Sequence, residues 1–177
     1  MVVGSDHKLK GIEVGQMVQV SQVSTLKSAF ITRATVSSQI SLILTGTVFL
    51  AVMAQISIPI PGSPVPLTGQ TLGVLLLGTA YGAGLGFSTI AFYLLMGMAG
   101  APIFSSGTSG IERIVGPTGG YLVGMLISSL VLGALAGRKW DQKIKTVIPT
   151  MIIGNSIIFA IGLLWLNQYT GQTWLWT

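Results

Sequence analysis

Arg113 is the residue that offers the most chemistry. It is the one basic side chain between Arg33 and Arg138, it directly follows Glu112, and it precedes the block Gly116-Pro117-Thr118-Gly119-Gly120-Tyr121. A guanidinium presents a planar fork of donors that can grip a carboxylate bidentately. Two readings stand side by side: a residue that binds an anion, or half of a solvated Glu112–Arg113 pair worth little. Catalysis has far less to draw on. The acidic residues are Asp6, Glu13, Glu112 and Asp141, and no two are neighbours. Hydrolysis or group transfer would need paired carboxylates, a histidine base or a metal cluster. His7 stands alone in a polar tail and cysteine is absent, so no metal centre or thiolate nucleophile is expected. No glycine-rich loop ends in Lys-Ser or Lys-Thr to cradle a nucleotide phosphate. The chain therefore reads as a non-enzyme without a cofactor, and ATP energy, if used, must come from another polypeptide.

The elements that would position Arg113 follow from the distribution of charge. Only 7% of the 177 residues are charged, against about a quarter in a soluble domain, and residues 34–111 carry no charge at all. Such a chain cannot build a soluble enzyme, a nucleic-acid-binding domain or a disordered segment. It is expected to be an all-α integral membrane protein, a compact helix bundle surrounded by lipid. The nine basic residues form no single stripe for nucleic acid; they gather where membrane flanks are expected.

Residues 1–34 read as a polar cytoplasmic tail without the apolar core of a secretory signal, and 35–177 as the transmembrane domain. Spans are expected at about 39–58, 67–81, 83–101, 119–136 and 146–166. Between the first two lie four prolines in eight residues, Pro59 to Pro66, which cannot continue a helix and should form a stiff, ordered loop. Gly82-Ala83-Gly84-Leu85-Gly86 reads as a turn between spans, because a dinucleotide fingerprint needs a preceding strand and a later acidic residue. The second segment is short, so its pair should tilt or bury against neighbours. With the N-terminus cytoplasmic, eight of the nine basic residues lie inside and Arg113 alone lies outside, as the positive-inside bias favours. The proline loop and the Glu112–Arg113 loop then meet a substrate arriving from outside.

Two further patterns bear on function. Gln39, Gln55, Gln70 and Asn155 place uncharged polar groups inside apolar stretches, where burial is costly unless they find partners. Some would bond between helices; a set near one mouth would suit an amide-like or ureido-like ligand. Small residues recur every fourth position at Gly78, Gly82 and Gly86, at Gly120, Gly124 and Ser128, at Gly133 and Gly137, and at Thr47 and Ala51. Such faces let helix backbones approach closely in lipid, either within this chain or against another membrane subunit.

Several blocks resemble the BioY family, the substrate-binding membrane components of energy-coupling-factor biotin transporters. They are Ala54-Gln55-Ile56-Ser57-Ile58-Pro59-Ile60-Pro61, the run Pro64 to Leu76, the run Tyr93 to Phe104, and Gly116 to Gly124. The resemblance spans about residues 45–170. It implies a bundle of six helices that captures biotin from outside and works with a membrane coupling protein and two ATP-hydrolysing subunits. It implies that Arg113 meets the biotin carboxylate or ring oxygen, and that Asn155, Gln70, Gln55 and Tyr121 bond the ureido group. It also implies a sixth helix carrying an Asp and a Lys, for which these 177 residues hold no counterpart. The expectation is accordingly a fragment with five of six spans and an incomplete pocket. A component for a different vitamin, a membrane enzyme acting on lipid, and a purely structural or assembly subunit are the alternatives.

Overall fold

The computed structural model describes residues 36–171; the tail assigned to 1–34, with His7, lies outside them, as do residues 172–177. In chain order the described elements are α1 (Val36–Gln55), β1 (Ser57–Ile58), β2 (Leu67–Thr68), α2 (Gln70–Met98), α3 (Glu112–Val115), α4 (Gly119–Gly137) and α5 (Ile144–Thr170). Among the described residues, α1, α2, α4 and α5 are long and apolar enough to cross a membrane. Their outward faces are apolar at helical spacing, with Ile40, Leu44, Val48 and Val52 exposed on α1 and Ile144, Ile148 and Ile152 on α5. A face of this kind belongs in lipid.

The segments expected at 67–81 and 83–101 form the two helical legs of α2, which doubles back on itself. Gly82 sits at φ 74° and ψ 174°, a conformation essentially reserved for glycine, and it separates two legs. A straight helix would hold Gln70 and Tyr93 roughly 35 Å apart at 1.5 Å per residue. The Gln70 Nε2 instead donates to the Tyr93 hydroxyl at 2.7 Å, and a Cβ on Gly86 would rest 3.4 Å from the Gly78 Cα. The legs lie against each other, with α1 packed on the hairpin from one side and α4 from another.

Many of the small-residue positions are spent on this packing, although a Cβ at Gly137 would meet nothing within 4 Å. A Cβ on Gly46 would meet Thr89 at 2.6 Å, one on Gly78 would meet the Ser129 Cα at 3.2 Å, and one on Gly124 would meet the Ile158 backbone at 3.0 Å. Gly133 abuts the Gly82–Ala83 backbone, so α4 crosses the hairpin at its turn. On α1, Thr47 and Ala54 face inward, 8% and 0% exposed. Buried hydroxyls mostly satisfy themselves within one helical turn, Thr79 on Leu75 O and Thr89 on Leu85 O. Ser128 bridges two helices by donating to Gly154 O at 2.9 Å.

The proline segment is closed by a short antiparallel ladder in which Ser57 pairs with Thr68 and Ile58 with Leu67. Helix α1 stops at Gln55 because the residue before Pro59 is steered into extended backbone. Ser63 fastens the loop on itself, its Oγ accepting from Val65 N and donating to Val65 O, each at 3.2 Å. This ladder, the loop after α2, α3 and the ends of α4 and α5 all gather at one end of the bundle. Arg138, Lys139, Lys143 and Lys145 lie in and after the α4–α5 connection, at the opposite end with the Gly82 turn.

Candidate functional site

At the end that holds Arg113 the elements enclose a cavity of about 360 Å³, within the ~300–1,000 Å³ range of small-ligand pockets. Its roof is the proline loop, through Ile60 and Val65. The start of α2 contributes Gln70 and Thr71, the next loop Phe104 and Ser105, and α3 contributes Arg113. Tyr121, Leu122 and Met125 of α4 and Phe159, Leu163 and Leu166 of α5 complete the wall. The lining is largely apolar, and Tyr121 and Phe159 meet edge to face, centroids 5.9 Å apart at 89°. Two rings at right angles make a corner suited to a flat or cyclic apolar group.

Arg113 is half-buried in this wall. Among the described residues its guanidinium makes no hydrogen bond and no ion pair. Glu112 does not neutralise it, because the Glu112 carboxylate turns toward Gly110. Of the two readings open in the sequence, the intramolecular pair is the one not formed. A cation left without an internal partner inside a mostly apolar cavity attracts an anion strongly, since little water screens it.

The backbone under Arg113 is held tightly. Thr118 Oγ1 donates to Arg113 O at 2.8 Å, and Arg113 N donates to Gly110 O at 3.3 Å. A Cβ at Gly116 would lie 2.5 Å from Glu112 O, and Gly119 would collide with Ile114 O. The glycines of Gly116-Pro117-Thr118-Gly119-Gly120 are thus required by close approach, which brings α3 directly onto the first turn of α4.

The other residues expected at the site divide. Tyr121 lines the cavity, and its hydroxyl has no partner among the described residues. Gln70 also reaches the wall, but its amide is engaged. Its Oε1 accepts from Thr68 Oγ1 at 3.2 Å, and its Nε2 donates to Tyr93, which in turn donates to Ile103 O at 2.8 Å. Gln55 lies outside the cavity lining. Its Nε2 donates to Ala51 O and Phe104 O, and its Oε1 accepts from Gly107 N at 3.0 Å. It pins the loop after α2 to the end of α1. Asn155 is exposed and borders a separate open groove with Leu72 and Leu75, joined to the cavity through Thr68, Thr71 and Phe159. Sequence reasoning passed over Thr71 and Ser105, which line the cavity and whose hydroxyls have no partner among the described residues. Thr71 stood beside Gln70 in a block already singled out, while nothing in the sequence marked Ser105.

The BioY family model matches residues 21–177. The chain is 40% identical over 138 residues to "Biotin transporter BioY2" of Lactococcus lactis subsp. cremoris, covering 76% of this chain and 72% of that protein. It is 36% identical to "Probable biotin transporter BioY" of Pyrococcus horikoshii, covering 76% and 78%, and 37% identical to "Biotin transporter BioY" of Thermotoga maritima, covering 70% of each. Among solved structures it superposes, with a TM-score of 0.71 and 21% identity, on the S-component for biotin from an ECF-type ABC transporter, covering 82% of this chain and 80% of that one. That likeness establishes the helical membrane fold.

Proposed function

The chain belongs to the BioY family, and from that premise we propose that it captures biotin at the membrane as the substrate-binding component of an energy-coupling-factor transporter. It is a multi-pass membrane transport component and not an enzyme. The observation that carries the ligand is the unpartnered Arg113 guanidinium in the wall of a largely apolar cavity of about 360 Å³. Biotin has the matching chemistry: one carboxylate, a polar ureido ring, and an apolar chain and thioether ring. Arg113 takes the carboxylate as a charge-assisted pair. The hydroxyls of Tyr121, Thr71 and Ser105 serve the neutral polar groups, and the Tyr121–Phe159 corner covers the apolar body.

In this reading Gln70 and Gln55 hold the walls in place, and Asn155 lies beside the ligand site in the groove. The N-terminus is cytoplasmic, because that orientation puts eight basic residues inside and sets the cavity facing outward. No phosphate-cradling loop is present in the sequence, so ATP-driven uptake draws on a coupling protein and ATPase subunits supplied as separate chains. The test is equilibrium binding of labelled biotin to the purified chain in detergent, with unlabelled vitamins as competitors. Saturable binding displaced by biotin alone is expected; displacement by another vitamin would assign a different ligand.

A further inference from the structure

Trp165 lies on α5 and is absent from the cavity lining, yet it touches the segment that carries Arg113 at three points. Its indole Nε1 donates to Gly116 O at 2.9 Å. Its ring fills the space over the first turn of α4, where a Cβ on Gly119 would stand 3.3 Å from the Trp165 Cε2 and one on Gly120 would stand 2.7 Å from the Trp165 Cγ. Gly116 is the residue that caps α3, and Thr118, two residues on, donates to Arg113 O. The connection runs from α5 through one indole to the turn between α3 and α4, and from that turn to the Arg113 backbone. An indole hydrogen bond is directional, unlike the apolar contacts around it. It therefore ties the end of α3 to α5 in one direction.

We propose that Trp165 is a positioning residue for Arg113, setting the guanidinium where it meets the ligand carboxylate without itself touching the ligand. The proposal rests on the biotin reading above. Its test compares biotin with its neutral carboxamide on the full chain in detergent, for the unaltered protein, Arg113→Ala, Trp165→Phe and the double variant. Phe keeps a ring over Gly119 and Gly120 and removes only the N–H. Trp165→Phe is expected to weaken biotin binding roughly threefold to tenfold, the scale of one lost neutral hydrogen bond, and to leave the carboxamide affinity unchanged. In the Arg113→Ala background the same change should have no further effect, because the two residues act as one unit.

Equal weakening for both ligands, or an undiminished effect in the Arg113→Ala background, overturns the positioning role and leaves the biotin reading standing. An Arg113→Ala protein that still prefers biotin over the carboxamide as the unaltered chain does overturns the carboxylate assignment, and the inference falls with it. So does an absence of biotin binding by the unaltered chain. Should Trp165→Phe fail to accumulate, Trp165→Leu, which also keeps apolar bulk and removes the N–H, is read for the same selective loss of biotin affinity and the same silence in the Arg113→Ala background.

Discussion

The Gln70 amide and the Tyr93 hydroxyl, 23 residues apart on the two legs of α2, lie 2.7 Å from each other. Their contact closes the α2 hairpin at the cavity end, as Gly82 turns it at the other. Tyr93 passes the connection on to Ile103 O and packs edge to face on Phe104, centroids 5.6 Å apart. Tyr93 is 1% exposed, so removing its hydroxyl strands a buried donor and a buried acceptor. Tyr93→Phe is expected to destabilise the protein by about 1–3 kcal/mol, visible as a lower melting temperature in detergent. Tyr121→Phe, whose hydroxyl has no internal partner among the described residues, should leave melting unchanged and weaken biotin binding.

Gly82 tests the turn independently of the site. An Ala there must adopt φ 74° and ψ 174°, at a cost of about 1–3 kcal/mol. Gly82→Ala should lower the melting temperature while the folded fraction keeps its affinity for biotin, because the turn and the cavity occupy opposite ends of the bundle. A loss of affinity with unchanged stability would contradict that separation.

Gln55 and Asn155 distinguish a wall from a ligand contact. Gln55→Ala removes the bonds to Phe104 O and Gly107 N and frees the loop that carries Phe104 and Ser105. Its effect should appear as faster hydrogen exchange across residues 104–108. Asn155→Ala, outside the cavity lining, should leave biotin affinity unchanged in the same titration. A large loss at Asn155 would place the ligand in the groove instead.

The bundle was legible because its signals are local. The charge-free stretch marked the membrane, the run of prolines marked a loop, and the glycines at 82, 84 and 86 marked a turn. The two-residue ladder inside the proline loop was missed, since such short pairing is set by the register of two distant segments and leaves no periodicity. Arg113 and Tyr121, which the sequence set apart as an isolated cation and an aromatic in one block, both line the cavity. The partners of Gln70 and Gln55 could not be read, because a polar residue in an apolar span looks the same whether it faces a ligand or a carbonyl. Asn155 depended on depth: it shares a face with Phe159 one turn along α5, yet Phe159 borders both cavity and groove while Asn155 borders the groove alone.

The central claim is that Arg113 binds the carboxylate of biotin. The most direct measurement is the dissociation constant of labelled biotin for the purified chain and for Arg113→Ala, taken side by side in detergent with matched melting temperatures. The account predicts saturable binding that the substitution weakens by about 1.5–3 kcal/mol, the scale of a hydrogen bond to a charged group. An affinity unchanged by the loss of the guanidinium would contradict it.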